Sequence, residues 1–85
     1  MSIRVRLRFF ASLREKLGDG EALALPEAST VGDAREALIA RGGAHADALA
    51  RSRAVRAALN QRMCAEGAAL ADGDELAFFP PVTGG

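Results

Sequence analysis

Cysteine and histidine each occur only once in this sequence, as Cys64 and His45. A single cysteine cannot form an internal disulfide, and one cysteine with one distant histidine does not make a metal site. We therefore expect no metal and no permanently bound cofactor.

Long apolar runs are also missing. No stretch is long enough to span a bilayer, and the N-terminal alternation of arginine with apolar residues is not a signal-peptide pattern. The 11 basic and 11 acidic residues balance, which gives no general attraction to nucleic acid or to anionic membranes. The sequence predicts a cytoplasmic protein with neither a nucleic-acid nor a membrane partner.

Motifs typical of stand-alone enzymes are missing as well. The sequence has no glycine-rich phosphate loop with a lysine and no pair of acids in a plausible acid–base arrangement. This chain is poorly equipped to catalyse a reaction alone.

What is present suits one small folded domain. Of the 85 residues, 49% are apolar, which favours a folded core over disorder. A chain of this length makes a single domain with a modest core.

Hydrophobic periodicity predicts the elements of that domain. Apolar residues alternate with Arg4, Arg6 and Arg8, which predicts a half-buried strand whose outer face also carries Phe10. The same reading predicts strands over 3–10, 21–25, 55–60, 62–64 and 74–79, and helices over 11–17 and 31–41, the latter capped by Ser29 or Thr30. Residues 44–53 are predicted to be a short helix or a helical loop.

The order of these elements predicts the architecture. The first two strands are close in sequence and should pair antiparallel, and a helical crossover usually leads to a parallel neighbour. The last strand is strongly apolar and is placed centrally. The result is an α+β fold that resembles the ubiquitin-like β-grasp: a mixed sheet of four to five strands with one main helix on one face.

The chain ends in Pro80-Pro81-Val82-Thr83-Gly84-Gly85. The prolines favour a stiff, extended segment, and the glycines can thread a slot too narrow for other residues. Six residues reach about 20 Å when extended. We expect a β-grasp domain over 1–79 and an extended arm over 80–85 whose terminal carboxylate enters a partner's active site.

The segment from Asp72 to Gly85 resembles the C-terminus of the molybdopterin synthase small subunit family. The run Phe78-Phe79-Pro80-Pro81-Val82-Thr83-Gly84-Gly85 is its most specific part. Segments 5–11, 14–15 and 58–61 also resemble that family, so the likeness covers nearly the whole chain.

The resemblance implies a sulfur carrier. The Gly85 carboxylate, presented with Gly84, would be adenylated with ATP by an adenylyltransferase of the ubiquitin-activating type. A sulfur donor of the cysteine desulfurase or rhodanese type would then convert it to a thiocarboxylate. The large synthase subunit would accept this sulfur on cyclic pyranopterin monophosphate, supply the catalytic side chains, and form a two-plus-two heterotetramer with the carrier.

The resemblance also implies a docking surface. Phe10 and Phe79 are predicted to point outward beside the arm, although a slip in strand parity would bury them instead. Met63 is a candidate third member of this apolar patch. We expect Phe10, Met63 and Phe79, together with Pro80, Pro81, Val82 and Thr83, to contact the partners.

Other functions share these features. Sulfur carriers for thiamine or cysteine synthesis have the same ending, although Pro80-Pro81 and the longer chain argue against the thiamine carrier. A ubiquitin-like protein modifier uses the same activation but transfers its carboxyl group to lysine. An interaction module with an inert tail is the remaining alternative.

Overall fold

The computed structural model of this protein describes residues 1–81. Its elements are β1 (Ser2–Phe9), α1 (Ala11–Leu17), β2 (Ala22–Pro26), α2 (Val31–Ala40), α3 (Gly43–Leu49), β3 (Arg56–Leu59), β4 (Arg62–Cys64) and β5 (Glu75–Phe79). None of the helices in this part of the chain could cross a membrane, since each is too short or too polar.

The five strands form one mixed sheet in the order β2-β1-β5-β3-β4. β1 and β2 pair antiparallel, whereas β1 and β5 pair in parallel. The predicted α+β, β-grasp-like sheet and the central position of the last strand are confirmed. The prediction of one main helix holds for the ten-residue α2, and two seven-residue helices accompany it.

Helix ends follow the local sequence. Of the two predicted caps, Thr30 is the one used: its hydroxyl accepts from the Asp33 N–H, and the Asp33 carboxylate accepts from the Thr30 N–H. Gly42, at φ 77°, separates α2 from α3. The helical segment predicted over 44–53 is α3, which begins at Gly43 and ends at Leu49.

Strand alternation sorts the sheet into two faces. Val5, Leu7 and Phe9 of β1 and Leu76 and Phe78 of β5 are all at most 2% exposed. The helices cover this inner face with buried side chains that include Leu13, Val31, Ala34, Leu38 and Leu49. The core therefore lies between the helices and one face of the sheet, and the outer face has no covering element among residues 1–81.

One glycine is required by the packing of the turn before β2. A Cβ at Gly20 would lie 2.0 Å from the Leu7 carbonyl oxygen, and the backbone has φ 153°. Leu7 and Glu21 exchange both backbone hydrogen bonds at this point. Only glycine allows this close approach of the turn to β1.

Candidate functional site at the end of the central strand

The end of β5 fixes the point at which the arm leaves the sheet. Phe79, the last residue of β5, pairs with Arg56 of β3. On the other side, the Phe10 N–H donates to the Phe78 carbonyl at 3.2 Å. Pro80 has no N–H and cannot extend the ladder. The root of the arm is therefore held from both sides by neighbouring strands.

Packing in the hydrophobic core also holds the end of β5 in place. The Phe78 ring stacks on the Phe9 ring with a centroid distance of 6.4 Å and an interplanar angle of 19°. Both rings are 1% exposed. A buried aromatic pair of this kind resists movement of the strand end, because any shift opens a void in a close-packed core.

A row of outer-face residues crosses four strands beside the arm root. The strand registers place Arg8, Ala77, Ala58 and Met63 side by side on β1, β5, β3 and β4. The Met63 side chain is 56% exposed. The two alanines between Arg8 and Met63 leave a shallow floor, because neither side chain extends beyond Cβ.

Phe10 extends this surface past the end of β1. Its backbone is extended, with φ −127° and ψ 158°, so the strand alternation continues and Phe10 lies on the same face as Arg8. It is 41% exposed, and the guanidinium carbon of Arg8 lies 5.5 Å from its ring centre. The register that pairs Phe9 with Phe78 places Phe10 beside Phe79.

We call Phe10, Ala58, Met63, Ala77 and Phe79 the outer patch. The predicted outward position of Phe10 agrees with its exposure, and Phe79, also predicted to point outward, is half-buried on the same face. Met63, the candidate third member, is exposed on this face. The sequence reasoning missed Ala58 and Ala77. Their alternation with inward-facing residues indicates that they lie on the outer face, but an alanine is not by itself typical of a binding residue.

The remaining predicted site residues lie in the arm. Pro80 and Pro81 are half-buried and line an open groove, together with Lys16 of α1 and Arg53 of the segment before β3. Val82, Thr83, Gly84 and Gly85 lie outside the described residues. Their predicted roles stay predictions.

Cys64 and His45, whose side chains are the most reactive types in this sequence, lie outside the outer patch. Cys64 is half-buried on β4, and burial raises the pKa of its thiol, which reduces its nucleophilic thiolate fraction. His45 lies in α3, with its Nε2 3.2 Å from a Glu21 carboxylate oxygen and its ring in a T-shaped contact with the Phe9 ring. Neither side chain is among the residues that form the outer patch.

Comparison with known proteins gives this arrangement a context. A profile of the ThiS family matches residues 7–85. The molybdopterin synthase sulfur carrier subunit of Escherichia coli is 38% identical over 81 residues, which cover 95% of this chain and 99% of the relative. The protein of that name from Haemophilus influenzae is 39% identical, with 91% and 94% of the two chains covered.

Several solved structures of related proteins are also similar to this one. SAMP1 from Haloferax volcanii is 34% identical, with a TM-score of 0.77 and coverage of 96% and 99%. A putative molybdopterin converting factor subunit 1 from Pyrococcus furiosus is 30% identical, with a TM-score of 0.79 and coverage of 94% and 99%. A chain from a complex of subunits 1 and 2 of the Helicobacter pylori molybdopterin-converting factor is 25% identical, with a TM-score of 0.63 and coverage of 98% and 100%.

The fold is also that of ubiquitin. A ubiquitin from Caldiarchaeum subterraneum, only 16% identical, aligns over the full length of both chains with a TM-score of 0.61. The predicted ubiquitin-like β-grasp is therefore confirmed. With a central strand that delivers the arm, an apolar patch at its root and a profile match that runs to Gly85, this chain belongs to the ThiS family.

Proposed function

We propose that this chain is the sulfur-carrier subunit of a molybdopterin synthase. The observation that carries the proposal is the identity of 38–39% to two molybdopterin synthase sulfur carrier subunits over nearly the whole of each chain. The fixed arm root and the neighbouring outer patch support it, since a carrier needs a projecting terminus and a docking surface.

The chemistry follows from the weakness of a carboxylate as an electrophile. The Gly85 carboxylate attacks the α-phosphate of ATP on a separate adenylyltransferase, with release of pyrophosphate. Sulfide supplied by a sulfur donor then attacks the acyl-adenylate, and AMP leaves because it is a good leaving group. The sulfur of the resulting thiocarboxylate displaces an oxygen substituent of cyclic pyranopterin monophosphate on the large subunit, which contributes the catalytic side chains. Water cleaves the thioester that forms, so the sulfur stays on the pterin and the Gly85 carboxylate is regenerated.

The large subunit is the partner with the most support. The Helicobacter pylori structure is described as a complex of subunits 1 and 2, and its chain covers 98% of this one. The outer patch offers exposed Phe10 and Met63 at the arm root. Exposed aromatic and methionine side chains are typical of interface centres.

Intact mass spectrometry tests the carrier chemistry directly. After incubation with ATP, the adenylyltransferase and a sulfide source, the protein should gain the mass difference between one sulfur and one oxygen, confined to the C-terminal peptide. A chain with one alanine added after Gly85 should show no gain. A chain with one alanine added before Met1 is the control and should react normally. Sulfur found on Cys64 instead would contradict the proposal.

A docking experiment tests the outer patch. Met63→Ala should weaken binding to the large subunit by roughly 10-fold, since truncation of a buried interface anchor costs about 1–2 kcal/mol. Arg62→Ala is the matched control, because Arg62 is the preceding β4 residue on the opposite side of the strand. Equal effects of the two substitutions on binding would show that the outer patch is not part of the interface.

A second candidate function has one specific observation in its favour. SAMP1 of Haloferax volcanii, a small archaeal modifier protein, is 34% identical to this chain with a TM-score of 0.77. Modifiers and carriers share adenylation and differ in the nucleophile that follows. Peptides in which Gly85 is joined to a lysine side chain would favour the modifier, and a thiocarboxylate without such adducts favours the carrier.

A further inference from the structure

The basic side chains of this protein differ in whether an acidic side chain contacts them. Every basic side chain on the helices and in the segments that follow α2 and α3 contacts an acidic one: Arg14–Asp19, Lys16–Asp47, Arg35–Glu66, Arg41–Glu21, Arg51–Glu36 and Arg53–Asp47. Their fields are therefore cancelled locally.

The outer face of β1 is different. Arg4, Arg6 and Arg8 occupy alternate positions on this face and are exposed. Arg8 has one acidic contact, to Glu75 at 3.8 Å. Within residues 1–81, neither the Arg4 nor the Arg6 guanidinium has an ion-pair partner. The chain has no net charge, but on the outer face of β1 three guanidinium groups lie beside a single β5 carboxylate, that of Glu75, which is opposite Arg6 in the register and contacts Arg8.

The geometry of the row is regular. Alternate residues of one strand lie about 7 Å apart and point in the same direction. The outer-face neighbours of Arg4 and Arg6 on β2 are Ala24 and Ala22, which are too small to screen the guanidinium groups. We call Arg4, Arg6 and Arg8 the arginine row.

The arginine row is continuous with the outer patch. Arg8 lies over the Phe10 ring at 5.5 Å and beside Ala77. The row therefore leads from the far end of β1 towards the root of the arm. If a partner covers the outer patch, the neighbouring part of its surface lies opposite the three guanidinium groups of the arginine row.

We propose that the arginine row is an electrostatic docking element for carboxylates on the surface of the large synthase subunit. This inference rests on the proposed function, since it takes the large subunit as the partner. Guanidinium groups match carboxylates in charge and in planar hydrogen-bonding geometry. At the rim of an apolar interface, such charges act mainly on the rate of encounter and on orientation.

The surrounding residues favour a protein over a nucleic acid. Asp72 and Asp74 lie beside the row: a carboxylate oxygen of Asp72 accepts from the Arg4 backbone N–H, and the Asp74 backbone carbonyl accepts from the Arg6 N–H, both at 2.8 Å. These acids would repel a polyphosphate backbone that ran past the row. Separate carboxylates placed opposite each guanidinium avoid that repulsion.

Association kinetics test this proposal. The probe is the large subunit from the same organism, and the variant is the double substitution Arg4→Gln/Arg6→Gln. We expect the association rate constant to fall roughly 10-fold at about 50 mM salt, with little change in dissociation. At about 500 mM salt the variant and the unchanged chain should associate at similar rates, because screening removes the steering.

Arg62→Gln is the control for single charge loss, compared with Arg6→Gln alone. Both arginines are exposed strand residues without an ion pair among residues 1–81, but Arg62 pairs with Leu59 and does not lie in the row. Arg62→Gln should leave the rate unchanged. Thermal unfolding of all variants checks that none is misfolded.

The outcomes separate this inference from the proposed function. If the unchanged chain binds and the double variant associates equally fast at low salt, the arginine row is not a docking element, although the carrier function stands. A loss that is independent of salt also overturns the inference. Absence of binding by the unchanged chain contradicts both. Tighter binding of a single-stranded oligonucleotide than of the large subunit overturns the choice of a protein partner.

Discussion

The two faces of the sheet use the same residue types to opposite effect. Phe9 and Phe78 stack in the core, whereas Phe10 and Phe79, their immediate neighbours in sequence, lie on the outer face. The difference comes only from strand parity. It shows that one short segment can stabilise the fold and present a docking surface, because consecutive side chains face different environments.

The basic residues also differ in whether they are paired. Each basic group on the helices and in the segments that follow α2 and α3 contacts an acid, and one of them, Arg35, is buried. On the outer face Arg4 and Arg6 remain available for a partner. We therefore expect substitutions on the inner and helical side to change stability, and substitutions on the outer side to change association.

The largest effect is expected from Phe78→Ala. It removes a fully buried ring and should lower the free energy of unfolding by about 3–5 kcal/mol. An 85-residue domain has a total of only about 4–13 kcal/mol. Phe10→Ala, at a ring that is 41% exposed, should cost less than about 1 kcal/mol. Urea unfolding of both variants measures the difference. Similar losses of unfolding free energy would show that the two faces do not differ in their contribution to stability.

The next effect concerns Arg35 of α2. It is 4% exposed, and its guanidinium donates to the backbone carbonyls of Leu49, Ala50 and Arg53 at 2.8–3.1 Å. It also pairs with Glu66 at 2.7 Å. A single side chain thus ties the end of α3 and the following turn to α2.

Arg35→Met should cost about 2–4 kcal/mol, because it leaves buried carbonyls without donors. Arg51→Met is the matched control. Arg51 also bonds Glu66 but is exposed, and loss of a surface ion pair costs about 0–1 kcal/mol. Urea unfolding of the two variants measures the difference in their free energies of unfolding. If Arg35→Met unfolds no more easily than Arg51→Met, the carbonyl contacts contribute little.

Arg35 also shows where sequence reasoning stops. Within α2 it is flanked by Ala34 and Glu36, and nothing local distinguishes it from a surface arginine. The carbonyls that accept from it lie 14–18 residues further along the chain, and Glu66 lies 31 residues further along. Only the tertiary arrangement of α2 and α3 makes it a buried residue, so a pattern of neighbours in sequence could not reveal it.

Local rules did predict much of the rest. Alternation in β1 predicts the buried Val5 and Leu7 and the outward Phe10, and the adjacent strands predicted over 55–60 and 62–64 require a tight turn between them, which the structure places at Asn60-Gln61. Both turn residues have positive φ, at 49° and 69°, as a two-residue hairpin of type I′ requires. Features set by neighbouring residues were predictable, whereas the floor of the outer patch depends on the register of three strands.

The smallest effect is a dependence of stability on pH. Hydrogen bonds from Arg51, with a further contribution from Arg35, hold the pKa of Glu66 below its ordinary value of 4.5. Arg41 and His45 lower the pKa of Glu21 in the same way. Partial burial opposes both shifts but does not cancel them.

The direction of the effect follows from proton linkage. A carboxyl group with a lower pKa in the folded protein stabilises the fold above its unfolded pKa, and that stabilisation is lost as the pH falls through the folded pKa. The melting temperature should therefore change little between about pH 7 and pH 5 and fall below about pH 4.5.

Glu66→Gln removes one of these groups and should lower the melting temperature at neutral pH by a few degrees. The estimate is small because the pair of Glu66 with Arg51 is a surface pair that contributes about 1 kcal/mol or less, and the substituted amide oxygen can still accept from the buried Arg35. A loss of 1 kcal/mol corresponds to about 4–8 °C in a domain of this size. Since the substituted amide does not titrate, the fall in acid should be shallower. Glu15→Gln is the control, because Glu15 is exposed on α1 without an ion pair among residues 1–81. An acid profile of Glu66→Gln that matches that of Glu15→Gln would show that the charge pairs of the helical face do not stabilise the fold, and the two faces would then differ only in their apolar packing.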